Sequence, residues 1–108
     1  MSENLDRGPL TETVFYILLS LYSPLHGYGI MQKVAEMSDG RVNLGAGTLY
    51  GAINTLVKKK WIEPFGKGFD KQKKEYVITE LGRKAVGIEI TRLKELMMNA
   101  AEIVEEGI

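Results

Sequence analysis

The sequence predicts a mainly α fold with a small β-hairpin: a winged helix-turn-helix followed by a long C-terminal helix. Three observations predict it. Three helix-period segments come first. A Gly- and Lys-rich stretch then separates two short strand-like runs, Trp61 to Phe65 and Tyr76 to Ile78. Last, the apolar residues Val86, Ile90, Leu93, Met97, Ala100 and Val104 are spaced 4, 3, 4, 3, 4, the seam of a coiled coil.

Residues 1–9 are polar, end in Gly8-Pro9, and are expected to form a mobile lead-in. Thr11 is a candidate N-cap, with Glu12 in the first turn. From Val14 to Tyr22 nearly every residue is apolar, so this helix should be buried on most sides, and Ser23-Pro24 should end it. Gly27 opens a second segment in which Ile30, Met31, Val34 and Met37 recur at helical spacing, closed by Asp39-Gly40. Val42 to Leu44 could form a short strand. A third helix is predicted from Thr48 to Lys60. Leu49, Ile53, Leu56 and Val57 make one apolar stripe, and Tyr50, Asn54 and Lys58 make another face.

Thr79 and Glu80 should start the last helix, which could run to Glu106. A helix of about 28 residues is a rod of about 42 Å. A domain spanning 10–78 cannot cover it, so the seam in 79–108 should meet a second copy; burial within the monomer is the alternative.

Composition narrows the function. The 108 residues carry no net formal charge and no Cys, which excludes disulfides and thiolate metal sites. Charge is unevenly placed: residues 1–40 carry a net −3, residues 41–84 a net +6, and residues 85–108 a net −3. A basic middle between acidic ends suits an anionic partner, with a solvated surface as the alternative. The longest apolar run, Val14 to Leu21, falls far short of the roughly 20 residues needed to span a bilayer. No export signal is visible, so the cytoplasm is the expected location and no membrane partner is expected.

In a winged helix the second helix of the motif enters the major groove of DNA. Here that is the Thr48–Lys60 segment. Thr48 and Tyr50 could hydrogen-bond phosphate or base edges, Asn54 could read adenine, and Lys58 could neutralise a phosphate. Lys67, Lys71, Lys73 and Lys74 of the hairpin suit an adjacent backbone. A winged helix used as a protein–protein adaptor is the alternative. Nothing supports an enzyme: Gly45-Ala46-Gly47 with Gly51 has the wrong spacing for a dinucleotide loop, and Ser20 and Ser23 have no base in a known motif. His26, the only His, has no ligand partners nearby and should be a turn residue bonding backbone. No metal or other cofactor is expected.

The sequence resembles the PadR family of transcriptional regulators. The resemblance rests on His26-Gly27-Tyr28-Gly29-Ile30, Gly47-Thr48-Leu49-Tyr50, and Lys74 to Arg83 (KEYVITELGR), in the family's order and spacing. It implies a homodimer on a palindromic operator, usually acting as a repressor, with some members released by a small hydrophobic effector at the dimer interface. Carried over by position, Phe15, Ile90, Leu93 and Met97 would line such a pocket. Ile90 and Leu93 stand where bulky aromatics clamp flat drugs in some members, and Met97 with Met98 would make a softer lining. The family often has Gly after the recognition helix; this chain has Lys60, which would have to adopt or avoid a left-handed turn.

Overall fold

The computed structural model describes residues 8–66 and 74–104. Its elements are α1 (Glu12–Ser20), β1 (Leu25–His26), α2 (Gly27–Met37), α3 (Ala46–Lys58), β2 (Ile62–Phe65), β3 (Glu75–Ile78) and α4 (Glu80–Val104). The strands form one antiparallel sheet in the order β1-β3-β2, with Ile62 opposite Ile78 and Phe65 opposite Glu75. This is the winged helix-turn-helix with a long terminal helix that the sequence predicts.

Local chemistry sets the ends of the helices. Thr11 caps α1, its Oγ1 accepting from the Val14 N–H at 3.1 Å. The helix stops at Ser20, before Ser23-Pro24, and Leu21 is its C-cap. His26 caps α2 as a turn residue bonding backbone: its Nδ1 accepts from the Gly29 N–H at 3.0 Å. Its neighbour Gly27 is buried where a Cβ would collide with the Tyr50 hydroxyl, so the second and third helices approach closely there.

Two helices end in the same paired turn. After α2, the Gly40 N–H bonds the Ala35 carbonyl at 2.8 Å and the Asp39 N–H bonds the Glu36 carbonyl at 3.2 Å. After α3, the Trp61 and Lys60 N–H groups bond the Leu56 and Val57 carbonyls, both at 3.0 Å. Both are Schellman motifs, which place one residue in the left-handed region. Here that residue is not glycine: Asp39 has φ 54° and Lys60 has φ 66°. Lys60 therefore adopts the left-handed turn rather than avoiding it. The turn also closes α3 two residues earlier than the periodicity suggests, while Gly45 starts it two residues earlier.

The strand expected at Val42–Leu44 does not form. The Val42 N–H is taken by the Ser38 hydroxyl at 2.9 Å, and the third strand is instead Leu25–His26. Pro64 sits in β2, at the sheet edge, where a missing N–H costs no ladder bond.

One core joins these elements. Ile17, Leu18 and Leu21 meet Ile30 and Val34, then Leu49, Ile53 and Leu56, with Trp61, Ile62, Ile78, Ala85 and Val86 closing it. Trp61 is fully buried and serves as core. Burying an aromatic of this size dominates the energetics of a small domain. The Cα radius of gyration is 15.5 Å, against about 13 Å for a compact chain of this length. Helix α4 is long for such a body: its 25 residues extend about 38 Å. No described helix is long and apolar enough to cross a membrane.

Candidate nucleic-acid interface

Helix α3 turns Leu49, Ile53 and Leu56 into the core and leaves Gly47, Thr48, Gly51, Asn54, Thr55 and Lys58 exposed on the opposite side. Three of the residues expected to bind DNA, Thr48, Asn54 and Lys58, share this face. Tyr50 does not stand freely with them. It is half-buried at the border, its hydroxyl over Gly27, and it braces α3 against α2. The apolar stripe it flanks sets that position, which spacing from Asn54 and Lys58 alone did not reveal. Thr55 is the polar group that spacing missed; its Oγ1 donates to the Gly51 carbonyl at 3.2 Å.

The Lys58–Lys60 run divides into three roles. Lys58 points out from the last turn of α3. Lys59 places Nζ 4.6 Å from the Trp61 ring centroid. Lys60 makes the left-handed turn. Lys74 lies at the foot of the hairpin with Nζ 5.8 Å from the Tyr76 ring centroid. Burial pushes the Tyr76 phenol up, and the neighbouring Tyr50 hydroxyl adds to the shift. Lys67, Lys71 and Lys73 lie outside the described residues.

The α4 seam divides sharply. Val86 is only 2% exposed, packed into the chain's own core, so it has no surface to offer a second copy. From Ile90 onward the apolar residues face outward: Met97 is 52% exposed and Ile103 82%, and Leu96, Met98 and Val104 are also open. Leu93 and Ala100 are half-buried.

Between the start of α1 and the middle of α4 lies a cleft of about 290 Å³, lined by Leu10, Thr11, Glu12, Phe15, Tyr16, Glu89, Arg92 and Leu93. It brings Phe15 and Leu93 together as the resemblance implies; Ile90 and Met97 are not among its lining residues. The sequence reading missed its charged pair. Arg92 donates to both Glu89 carboxylate oxygens, Nε at 2.9 Å and Nη2 at 2.6 Å, and the Leu10 N–H approaches Oε1 at 3.4 Å. Those donors, Arg92 first, hold the Glu89 carboxyl below its usual range although burial opposes them. The available signal was a Glu three residues before an Arg on the apolar side of a helix. At the rim, Glu12 pairs with Arg41.

A trihelical body, a hairpin and a projecting terminal helix define a winged-helix protein of the kind that regulates transcription. Residues 15–88 match the Transcriptional regulator PadR-like family, and the chain belongs to that family. Among solved structures it is similar to RosR of H. salinarum, with 26% identity, a TM-score of 0.70, and coverage of 93% of this chain and 91% of that one. It is also similar to a PadR family transcriptional regulator from Eggerthella lenta, with 21% identity, a TM-score of 0.67, and coverage of 87% and 82%. F93 from STIV, a winged-helix DNA-binding protein, has 20% identity, a TM-score of 0.53, and coverage of 90% and 92%. No curated protein sequence matches the chain.

Proposed function

We propose that this chain is a sequence-specific DNA-binding repressor that grips a palindromic operator as a homodimer and is released by a small hydrophobic effector. The observation that carries the reading is one exposed polar face on α3 in a chain whose α4 leaves an apolar stripe uncovered. The first suits a major groove, and the second suits another copy of itself. Paired subunits would set two α3 helices one DNA turn apart, about 34–36 Å.

In this reading Thr48, Asn54 and Thr55 meet base edges and phosphates, and Lys58 neutralises a phosphate. Tyr50 acts chiefly by fixing the tilt of α3. Lys74, with Lys67, Lys71 and Lys73 of the hairpin, contacts the neighbouring backbone. Ile90, Leu93, Met97, Ala100 and Val104 form the pairing surface. The cleft at Phe15 and Leu93 takes the effector, with the Glu89–Arg92 pair as its polar end. Such a dimer represses by occupying a promoter. The cytoplasm is its place of action.

Selection of bound duplexes from a random pool tests this directly. An inverted repeat should emerge, bound with an affinity that falls steeply with salt. Asn54→Ala should then lose discrimination at one base pair per half-site, by about tenfold, within the range for one bidentate base contact. A pool that shows no enrichment, or binding indifferent to salt, would overturn the proposal.

A further inference from the structure

The first turn of α4 is bolted onto the turn that ends α3. The Thr79 hydroxyl donates to the Lys60 carbonyl at 2.6 Å and accepts from the Gly82 N–H at 3.0 Å. The Thr79 N–H donates to the Trp61 carbonyl at 2.9 Å. Gly82 lies so close to that same carbonyl that a Cβ there would collide with it. Lys60 and Trp61 are the two residues of the left-handed turn that terminates α3. One side chain thus caps α4 and grips α3 at once.

Helix capping needs only the acceptor half of this arrangement. The donor half, from the hydroxyl to the Lys60 carbonyl, spans 19 residues of sequence and joins the start of α4 to the turn after α3. The same joint includes the fully buried Trp61, so it rests on the rigid core. The start of α4 is therefore tied to the turn that ends α3.

We propose that Thr79 is a positioning residue for DNA recognition: its hydroxyl fixes the angle between α4 and α3, and so the distance between the two α3 helices of a dimer. The inference rests on the proposed dimeric, DNA-reading function. It assigns half-site spacing to a residue that faces no base.

The test separates bridging from capping. Thr79→Asp keeps a cap-competent acceptor but has no proton to donate to the Lys60 carbonyl. Thr79→Ser keeps both. The chain has no cysteine, so Thr48→Cys places a single spin label on each α3. In the Thr48→Cys parent, dipolar spectroscopy should give one narrow label-to-label distance. Thr79→Asp should broaden it, and Thr79→Ser should restore it. On the selected inverted repeat, one added base pair swings a half-site by about 34°. Thr79→Asp, without the label, should lower the penalty for that insertion by about fivefold, the size of one lost hydrogen bond. A Thr79→Asp protein with the parental distance width and the wild-type spacing preference would overturn the inference. Absence of any dipolar coupling in the parent would instead remove the dimer, and with it the reading beneath. Should Thr79→Asp fail to fold, Thr79→Val, which removes cap and bridge together, carries the same two measurements, and parental values in both would overturn the inference.

Discussion

From Thr11 to Val86 the chain closes its own core, whereas from Ile90 to Val104 it leaves apolar residues in water. The two regions have similar raw material: Ile, Leu, Met and Val at helical spacing. They differ in what is available to pack against them. Ala85 and Val86 meet the sheet and the first helices. Met97 and Ile103 stay largely exposed to solvent. A helical apolar stripe thus says that a face calls for cover, and the length of the helix against the size of its domain says that the chain's own body does not supply all of it. The body should be sensitive to cavities whatever its concentration, and the far half of α4 only when a second copy is at hand.

The largest effect should come from the body. Trp61→Ala deletes a fully buried indole and should cost about 3–5 kcal/mol, a large share of the roughly 5–15 kcal/mol a domain has. Urea unfolding followed by circular dichroism measures it. Ile103→Ala, on the exposed stripe, should change the unfolding free energy by less than about 0.5 kcal/mol in dilute protein. Equal costs at both sites would erase the contrast.

Second in size, Met97→Glu should break the outer region and spare the inner one. A carboxylate at the centre of the stripe would meet its own copy or an apolar face. Sedimentation should show single subunits with an unchanged helical spectrum. Affinity for an inverted repeat should fall by about a hundredfold, the low end of what bivalency supplies. A dimer surviving this change would place the pairing surface elsewhere.

The two regions were also unequally legible in the sequence. Helical spacing located the buried stripe of α3 and the apolar seam of α4, because burial imposes a period. It misplaced Tyr50, since a half-buried border residue satisfies the period of either face. It missed β1, because Leu25–His26 is too short to show any alternation, and its partner β3 is about 50 residues away. It put Val86 in the intersubunit seam because a heptad cannot tell one apolar neighbour from another. The cleft was only half visible: Phe15 and Leu93 were expected in a pocket, but the Glu89–Arg92 pair depends on how α1 lies across α4.

A third and smaller effect lies within the body, at its two left-handed turns. A non-glycine residue there costs roughly 1 kcal/mol or more, and Asp tolerates the region better than Lys. Lys60→Gly should therefore stabilise the protein by up to about 1 kcal/mol, and Asp39→Gly by less. Thermal unfolding of the two variants side by side checks the order. The substitution leaves the Lys60 carbonyl in place, so the Thr79 hydroxyl keeps its acceptor.

The smallest effect should show as a dependence on pH, at the border between the two regions. Glu89 sits where α4 leaves the body, and its carboxyl is held below its ordinary range mainly by Arg92. A depressed carboxyl contributes stability at pH values above its unfolded titration, and this contribution is lost as pH falls through the lower folded value. Wild-type stability should thus decline from about pH 5 downward, where carboxylates titrate. Glu89→Gln is near-isosteric and cannot titrate. It should be less stable than wild type at neutral pH, because Arg92 loses its partner, and the gap should narrow as the wild-type carboxylate is protonated. Arg92 is partly open to solvent, which limits the size of the difference. Parallel acid limbs for the two proteins would mean that the pair does not tie α4 to the body.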